Sequence, residues 1–540
     1  MMHSYSSSSA TIIKTSVLQN MRLRLLILSS SFIVLFMIVI LSLLDVTLFF
    51  TEVDHHEFQK PQVSNTRGRI LDKDGNILGT TLVTASLYCT PKYILDPKEA
   101  ALKLGLIFPD LSYNKLMEKF TSEKGFEWVK RNLSPAQQQA VLSLGIPGLD
   151  FEYEKKRLYP QGSLFAHVLG LVDIDGIGIA GIEKQFAKEL EGGNDIHLSL
   201  SLAIQHALYD ELKKGIDHFQ ADGGSAVMVD IETGEVKGMV SLPDFDPNIP
   251  NSMTKDNAFN RNTLGVYELG SIMKIFNTAL YLKYGKGGKD AVFDITHPIR
   301  VGRFTINDYR GGQKRPLTVE EIFYYSSNIG AAHMALSVGI DVQYSFFKEM
   351  GFFDKPQIEL PERGKPMYPK KTSQASAMTM AFGHGMAMTP IQFLSGLSNL
   401  LNGKKHQLTL LKKEKQEFGE NVFSPKDSQT LCNLMRMVVE KGTAGKAKVK
   451  GYLIGAKTGT AEKIEHGRYQ KNGKNLNSFV GAFPIDNPKY LVFVTLDYPK
   501  ARPDTYGFTA AGWNAAPVGG KIIRRLASLL NLPPVYEDSI

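Results

Sequence analysis

The chain has 540 residues, a formal net charge of +8, 43% hydrophobic residues and 21% charged residues. That length is too great for a single core and predicts roughly two to four domains, and the composition excludes a disordered chain. So mild a positive charge gives no case for nucleic acid, though it suits an anionic membrane or wall surface.

Lys14, Arg22 and Arg24 precede an uncharged run, residues 25–44, "LLILSSSFIVLFMIVILSLL". At 1.5 Å per residue such a run makes about 30 Å of helix, enough to cross a bilayer core. A secretory signal has an apolar region of only about 7–15 residues, so this one reads as an uncleaved anchor. No acid occurs before Asp45, whereas Asp45, Glu52, Asp54 and Glu57 follow quickly. The positive-inside rule then predicts residues 1–24 as a cytoplasmic tail, with an irregular serine run at Ser6 to Ser9, and the bulk of the chain outside.

Residues 45–215 read as a mixed α+β pedestal without chemistry of its own. "TRGRILDKDGNILGT" predicts a hairpin in which Ile70 and Leu71 face Ile77 and Leu78 across Asp74-Gly75. Residues from about 93 to 146 have a helical, amphipathic pattern. In "RLYPQGSLFAHVLG" and "GIGIAGIEKQF" the glycines punctuate short elements: no GxGxxG opens a helix after a strand, and no phosphate-binding GxxxxGK[ST] occurs. Arg67, Arg69, Arg157 and Glu183 form either a salt-bridge lattice or a surface for partners. A helix over Leu198 to Lys214 joins the next domain. Cys89 and Cys432 stand far apart and match no metal spacing, so both are expected as buried free thiols.

Residues 220–535 change texture. "SAVMVDIETGEVKGMVSLP" predicts two strands, "YLIGAKTGTAEKI" one and "NSFVGAFPIDNPKYLVFVTLDYP" two more. Helical segments lie between, and "APVGGKIIRRLASLL" closes the domain as a helix. The expected fold is therefore α/β in the α+β sense, one antiparallel sheet covered by helices. A second uncharged stretch, Thr372 to Gly403, contains paired glycines, a histidine and a proline, which suit a buried loop and helix rather than a membrane span. Thr389-Pro390 reads as its N-cap and first helical residue, and His384 as structural.

Three short pieces carry the chemistry. Four S-x-x-K spacings occur, headed by Ser112, Ser252, Ser271 and Ser345. Context separates them: Ser271 follows Gly270, and apolar residues recur at Ile272, Ile275, Phe276, Ala279 and Leu280. That predicts a one-faced helix starting at the serine, with Lys274 one turn along the same side. The serine N–H is then an unpaired helix-start donor, able to hold an oxyanion. The bland alternative is a serine N-cap beside a solvated lysine. The second piece is "YYSSNIG", in which Ser326 and Asn328 offer a hydroxyl and a carboxamide; alone it reads as a polar helix start. The third is "GAKTGTAEK", with Lys457, Thr458, Gly459 and Thr460 on an expected edge strand. There Gly459 would let a substrate backbone approach, and the lysine and threonines would suit a carboxylate. Alone, it too reads as a turn.

Together, 55 and then 131 residues apart, the three match the S-x-x-K, S-D-N and K-T-G set of penicillin-binding proteins and class A β-lactamases. Ser327 replaces the Asp of the middle motif. With the anchor, "RGRILDKDGN", "RLYPQGSLFAHVLG", "GIEK", "SLPDFDPN" and "TYGFTAAGWNAAP", the chain from about residue 25 onward resembles a class B penicillin-binding protein, most like the septal cell-division D,D-transpeptidases.

The resemblance implies a penicillin-binding dimerisation-type pedestal and a transpeptidase domain that needs no cofactor and no metal. It implies that Ser271 attacks the D-Ala-D-Ala bond of a peptidoglycan stem peptide, that Lys274 is the base and that Ser326 relays a proton. Asn328 would hold the stem amide. Lys457, Thr458 and Thr460 would grip the carboxylate, and the N–H groups of Ser271 and Thr460 would form the oxyanion hole. β-Lactam antibiotics would acylate the same serine. Division membrane proteins, including a lipid-linked glycan polymerase, are the implied partners, and the inner membrane the implied location. The competing readings are an elongation-specific transpeptidase, a β-lactam sensor, a β-lactamase, or a scaffold without turnover.

Overall fold

The computed structural model describes residues 8–44, 67–249, 251–302, 304–413, 419–465, 468–469 and 474–535. They fall into two compact units divided after Ser64. The acidic flank Asp45, Glu52, Asp54 and Glu57 lies outside the described residues, as do Ser6 and Ser7.

The described residues of the N-terminal unit form one continuous helix, Ser8–Leu44, whose stretch Met21–Leu44 is long and apolar enough to cross a membrane. The expected irregular tail is corrected here: from Ser8 onward it is helical. A helix nucleated by the apolar run extends without a second nucleation cost, and Leu, Gln, Met and Arg are good helix formers. Within the apolar run the Ser31 hydroxyl donates to the Ile27 carbonyl at 2.8 Å, which satisfies it without water.

In the pedestal the long strand Ile77–Cys89 pairs antiparallel with both Glu127–Leu133 and Leu149–Leu158. The expected hairpin forms with a bulge: Ile70 stands opposite Gly79 and Leu71 opposite Ile77, so Ile70 and Leu78 go into the core while Ile77 stays exposed. Gly75 takes φ +87° at the turn. Helices Pro97–Ile107, Tyr113–Phe120 and Pro135–Leu142 bear out much of the helical pattern, each started by a capping side chain (Asp96, Ser112, Ser134). The strand Glu127–Leu133 inside that stretch is a correction. Its seven residues are too few to show a period, and pairing to Ile77–Cys89 buries Val129 and Leu133. The joining helix also shifts, to Leu202–Phe219. Leu198 remains extended, donating to Leu71, and Asp72 Oδ2 accepts from the Leu202 N–H at 3.1 Å, which fixes the helix start.

The second sheet is antiparallel and five-stranded, as the sequence predicts: β1 (Gly223–Asp230), β2 (Val236–Leu242), β3 (Gly455–Glu462), β4 (Asn475–Phe483) and β5 (Tyr490–Asp497). Their spatial order is β3-β4-β5-β1-β2, so β3 is an edge. Helices cover both faces. Phe479 and Phe493 lie on opposite faces, because Phe493 pairs across with Val480 and not with Phe479. Phe479 fills the space beside Gly519 of the C-terminal helix Ala515–Leu529, where a Cβ would meet its ring at 2.2 Å. Phe493 packs on Phe393 of helix Pro390–Asn402, with ring centroids 5.6 Å apart, and Phe393 packs on Phe276 of helix Lys274–Tyr284 at 5.2 Å. Helix Pro390–Asn402 of the uncharged stretch 372–403 is thus interior, and Thr389 caps it with a reciprocal Gln392 bond and Pro390 at the first turn. Cys89 and Cys432 are buried free thiols.

Candidate active site

Gly270–Met273 is a 3-10 turn that runs directly into the α-helix Lys274–Tyr284. The helix expected from the serine onward is therefore tighter over its first turn. In 3-10 geometry residues three apart eclipse, which sets Lys274 directly over Ser271. Lys274 Nζ lies 3.0 Å from Ser271 Oγ. Gly270 has φ +57°, and a Cβ there would sit 2.8 Å from the Thr460 carbonyl of β3. Glycine thus lets the Ser271 turn lie against the edge strand, backbone to backbone.

Ser326 ends helix Val319–Tyr325 in the left-handed region, at φ +62°. That conformation costs a non-glycine residue roughly 1–2 kcal/mol. It turns both oxygens of Ser326 toward Lys274, whose Nζ is 2.6 Å from the Ser326 carbonyl and 3.2 Å from Oγ. The next helix, Asn328–Val338, begins at once, with Ser327 as N-cap accepting from Gly330 N at 3.0 Å. Asn328 Oδ1 accepts from Lys274 Nζ at 2.7 Å, and Asn328 Nδ2 donates to the Asn307 carbonyl at 3.0 Å.

From the other side Lys457 on β3 donates to Ser326 Oγ at 2.9 Å and to the Thr458 carbonyl at 3.3 Å. Thr458 Oγ1 is 2.7 Å from Thr443 Oγ1, and Thr460 Oγ1 accepts from Ala511 N at 3.0 Å. Lys274 and Lys457 are 1% and 0% exposed. Burial drives the Lys274 pKa well below its ordinary value, the charge of Lys457 lowers it further, and Asp308 opposes both. Burial brings Lys457 down to about 7.

The proton inventory limits what this arrangement can do. Ser326 O and Asn328 Oδ1 can only accept, so together they take two N–H bonds of Lys274. A neutral amine has two such bonds and a lone pair, which leaves the lone pair for the Ser271 hydroxyl proton. The cluster can therefore activate a serine for acyl transfer.

The penicillin binding protein transpeptidase domain matches residues 224–523, and the penicillin-binding protein dimerisation domain matches residues 62–200. The chain belongs to the penicillin-binding proteins. Among its relatives, the probable peptidoglycan D,D-transpeptidase FtsI of Caulobacter vibrioides is 35% identical over 87% of this chain and 82% of the relative. Peptidoglycan D,D-transpeptidase FtsI of Escherichia coli is 27% identical over 89% and 87%. The fold matches the crystal structure of penicillin binding protein 3 from Mycobacterium tuberculosis, complexed with aztreonam, with a TM-score of 0.70 and 23% identity, covering 87% of this chain and 98% of that one.

Ser271, Lys274, Ser326, Asn328 and Lys457 are thus brought into one cluster, with Thr458 and Thr460 on the same strand. Gly459 needs a different reason from the one expected. A Cβ at 459 would sit 2.3 Å from the Leu269 carbonyl and 3.2 Å from Ile272 N, so its empty side is filled by the protein's own Ser271 turn. Three contributors escaped the sequence reading. Asp308 holds the start of the Asn328 helix. The Phe382–Gly385 loop abuts the Ser271 turn, since a Cβ on Gly383 would meet the Gly270 carbonyl at 2.1 Å. The Thr505–Trp513 segment supplies the Ala511 N–H, and Arg310 lies 4.4 Å over its Phe508 ring. The last of these was legible only as family resemblance, and the other two sit in motif-free loops.

The pedestal residues lie apart from this cluster. Glu183 is fully buried between Arg67 Nε at 2.7 Å and Arg157 Nε at 2.6 Å, and Arg157 also donates to the Gly68 carbonyl at 2.8 Å. Arg69 instead pairs with Asp195 at the surface, at 2.6 Å.

Proposed function

We propose that this chain is the septal-type peptidoglycan D,D-transpeptidase of its cell, cross-linking stem peptides through an acyl-enzyme on Ser271. The observation that carries the reading is a buried Lys274 amine, 3.0 Å from Ser271 Oγ, with two other acceptors already fixed. Ser271 Oγ bonds to the carbonyl carbon between two D-alanines, and Lys274 takes the hydroxyl proton. The backbone N–H groups of Ser271 and Thr460 receive the oxyanion. The amide C–N bond then breaks. The proton reaches the leaving D-alanine amine through Ser326 Oγ, which lies between Lys274 and Lys457. An acceptor amine enters by the reverse path and makes the cross-link.

Asn328 keeps one amide hydrogen for the stem backbone. Lys457 and the Thr458 and Thr460 hydroxyls meet the terminal carboxylate; Thr460 accepts from Ala511, so its own hydrogen remains available. β-Lactams enter as strained amides bearing a carboxylate and stop at the acyl-enzyme. The basic residues Lys14, Arg22 and Arg24 before the apolar helix support an N-terminus in the cytoplasm and a catalytic part outside. The division partners include a glycan polymerase, and the exposed Arg69 is the pedestal residue best placed to meet one. Arg67, Arg157 and Glu183 act within the pedestal, where they relay partner binding.

Fluorescent penicillin should label the wild type and not Ser271→Ala. Label retained on a folded Ser271→Ala protein would refute the nucleophile. Depletion should give filaments; round cells would instead favour a role in elongation.

A further inference from the structure

The middle motif lacks the carboxylate of the S-D-N form, since Ser327 stands in that place. A carboxylate is nevertheless present. Asp308, 19 residues earlier and 8% exposed, accepts from Ser327 Oγ at 2.7 Å through Oδ2. Its Oδ1 accepts from Asn328 N at 2.5 Å and from Ile329 N at 3.0 Å. With Gly330 N bonded to Ser327 Oγ, all three leading N–H groups of the Asn328–Val338 helix are satisfied, two of them by this one side chain. The same loop accepts the Asn328 carboxamide on the Asn307 carbonyl at 3.0 Å.

We propose that Asp308 is a positioning residue that supplies from a separate loop the carboxylate missing from the middle motif. It holds Asn328 and Ser326 at their distances from Lys274 and sets a negative charge beside the cluster, opposite in sign to Lys457. This rests on the acyl-enzyme reading above and deepens it. The charged groups facing Lys274 are Lys457 from the edge strand and Asp308 from this loop. Removing Lys457 would leave only an anion, which favours protonated Lys274; removing Asp308 leaves only a cation, which favours the neutral amine. Asp308 therefore trades basicity at low pH for a fixed motif.

The two contributions separate by substitution. Asp308→Asn keeps an oxygen for the Asn328 and Ile329 N–H groups and removes the charge. Asp308→Ala removes both. The full-length protein in detergent would be acylated by fluorescent penicillin from about pH 5 to about pH 9, with melting as the check on folding. The wild-type rate falls as pH drops through the Lys274 pKa. For Asp308→Asn that acid limb should move about one unit to lower pH. For Asp308→Ala the rate should fall at least about tenfold at every pH, as displaced catalytic groups do. Adding Ser327→Asp to Asp308→Asn returns a carboxylate to the helix start and should bring the limb back toward the wild-type position. It also serves as the test protein if the single Asn variant does not fold. An acid limb of Asp308→Asn superimposed on the wild type would overturn the inference, because a merely structural residue would leave the limb unmoved. Failure of the wild type to label at Ser271 would instead overturn the acyl-enzyme reading.

Discussion

Lys457 is a buried cation in a fully enclosed position, and its removal should stabilise the fold while destroying the site. Its pKa drops from an ordinary 10.5 to about 7 because burial penalises its charge. Between those two values the unfolded chain holds one more proton than the folded one, so stability rises with pH across that window. Below pH 7 both states are protonated and the penalty is complete: 3.5 units at 1.36 kcal/mol each, about 5 kcal/mol. Above pH 10.5 it vanishes. Lys457→Met keeps the length of the side chain and removes the charge, but it leaves Ser326 Oγ without that donor, which costs about 1–3 kcal/mol. The variant should therefore be about 2–4 kcal/mol more stable than wild type at a pH near 6. The gain should shrink steadily above pH 7 and reverse between about pH 8 and about pH 10, where the remaining penalty equals the cost of the lost donor. Penicillin acylation should fall by about 10²-fold or more. Urea titrations in a Trp128→Phe background let Trp513, on the catalytic side, report alone. A Lys457→Met protein less stable than wild type at the acid end, or a stability gap that does not narrow with pH, would refute the reasoning.

Gly459→Ala should slow penicillin acylation about 10²-fold and cost about 1–3 kcal/mol, because its Cβ collides with the Leu269 carbonyl; unchanged urea stability would restore the substrate-approach explanation. Arg157→Ala strips buried Glu183 Oε1 and the Gly68 carbonyl of their shared donor and should destabilise the pedestal by about 3–5 kcal/mol, measured by denaturation, while Arg69→Ala, at the surface, should change stability by less than about 1 kcal/mol. Burial raises the Cys89 thiol to about 11 and the Cys432 thiol to about 12, so a thiol reagent at neutral pH should modify neither in the native protein and both in urea.

The parts of this fold that were legible in the sequence share one property: their signal is local. The five catalytic strands alternate or run apolar between clear turns, and Thr389-Pro390 caps a helix in the way its residue types require. The three motifs were legible because chemistry restricts residue types at short spacing. What escaped was set by pairing or by shape. The strand Glu127–Leu133 exists because Ile77–Cys89 offers it a partner. The one-residue difference between the expected and observed hairpin comes from a bulge that no local pattern announces. Asp308 sits in a polar loop, "INDYRGG", and only the folded contact distinguishes it from other loop acids.

The placement of the site follows from conflicting demands on its groups. A lysine that must be neutral has to be dry, and the dry region lies between the sheet and the helices that cover it. A serine that must meet a polymer has to lie at the rim. An oxyanion needs backbone N–H groups that the sheet does not already use, and these occur on an edge strand. The junction of β3 with the start of helix Lys274–Tyr284 meets all three conditions. Backbone comes close to backbone there at Gly270, Gly383 and Gly459, where a Cβ would sit 2.8, 2.1 and 2.3 Å from a carbonyl oxygen. Small residues at these points are what let buried Lys274 and half-buried Ser271 stand 3.0 Å apart.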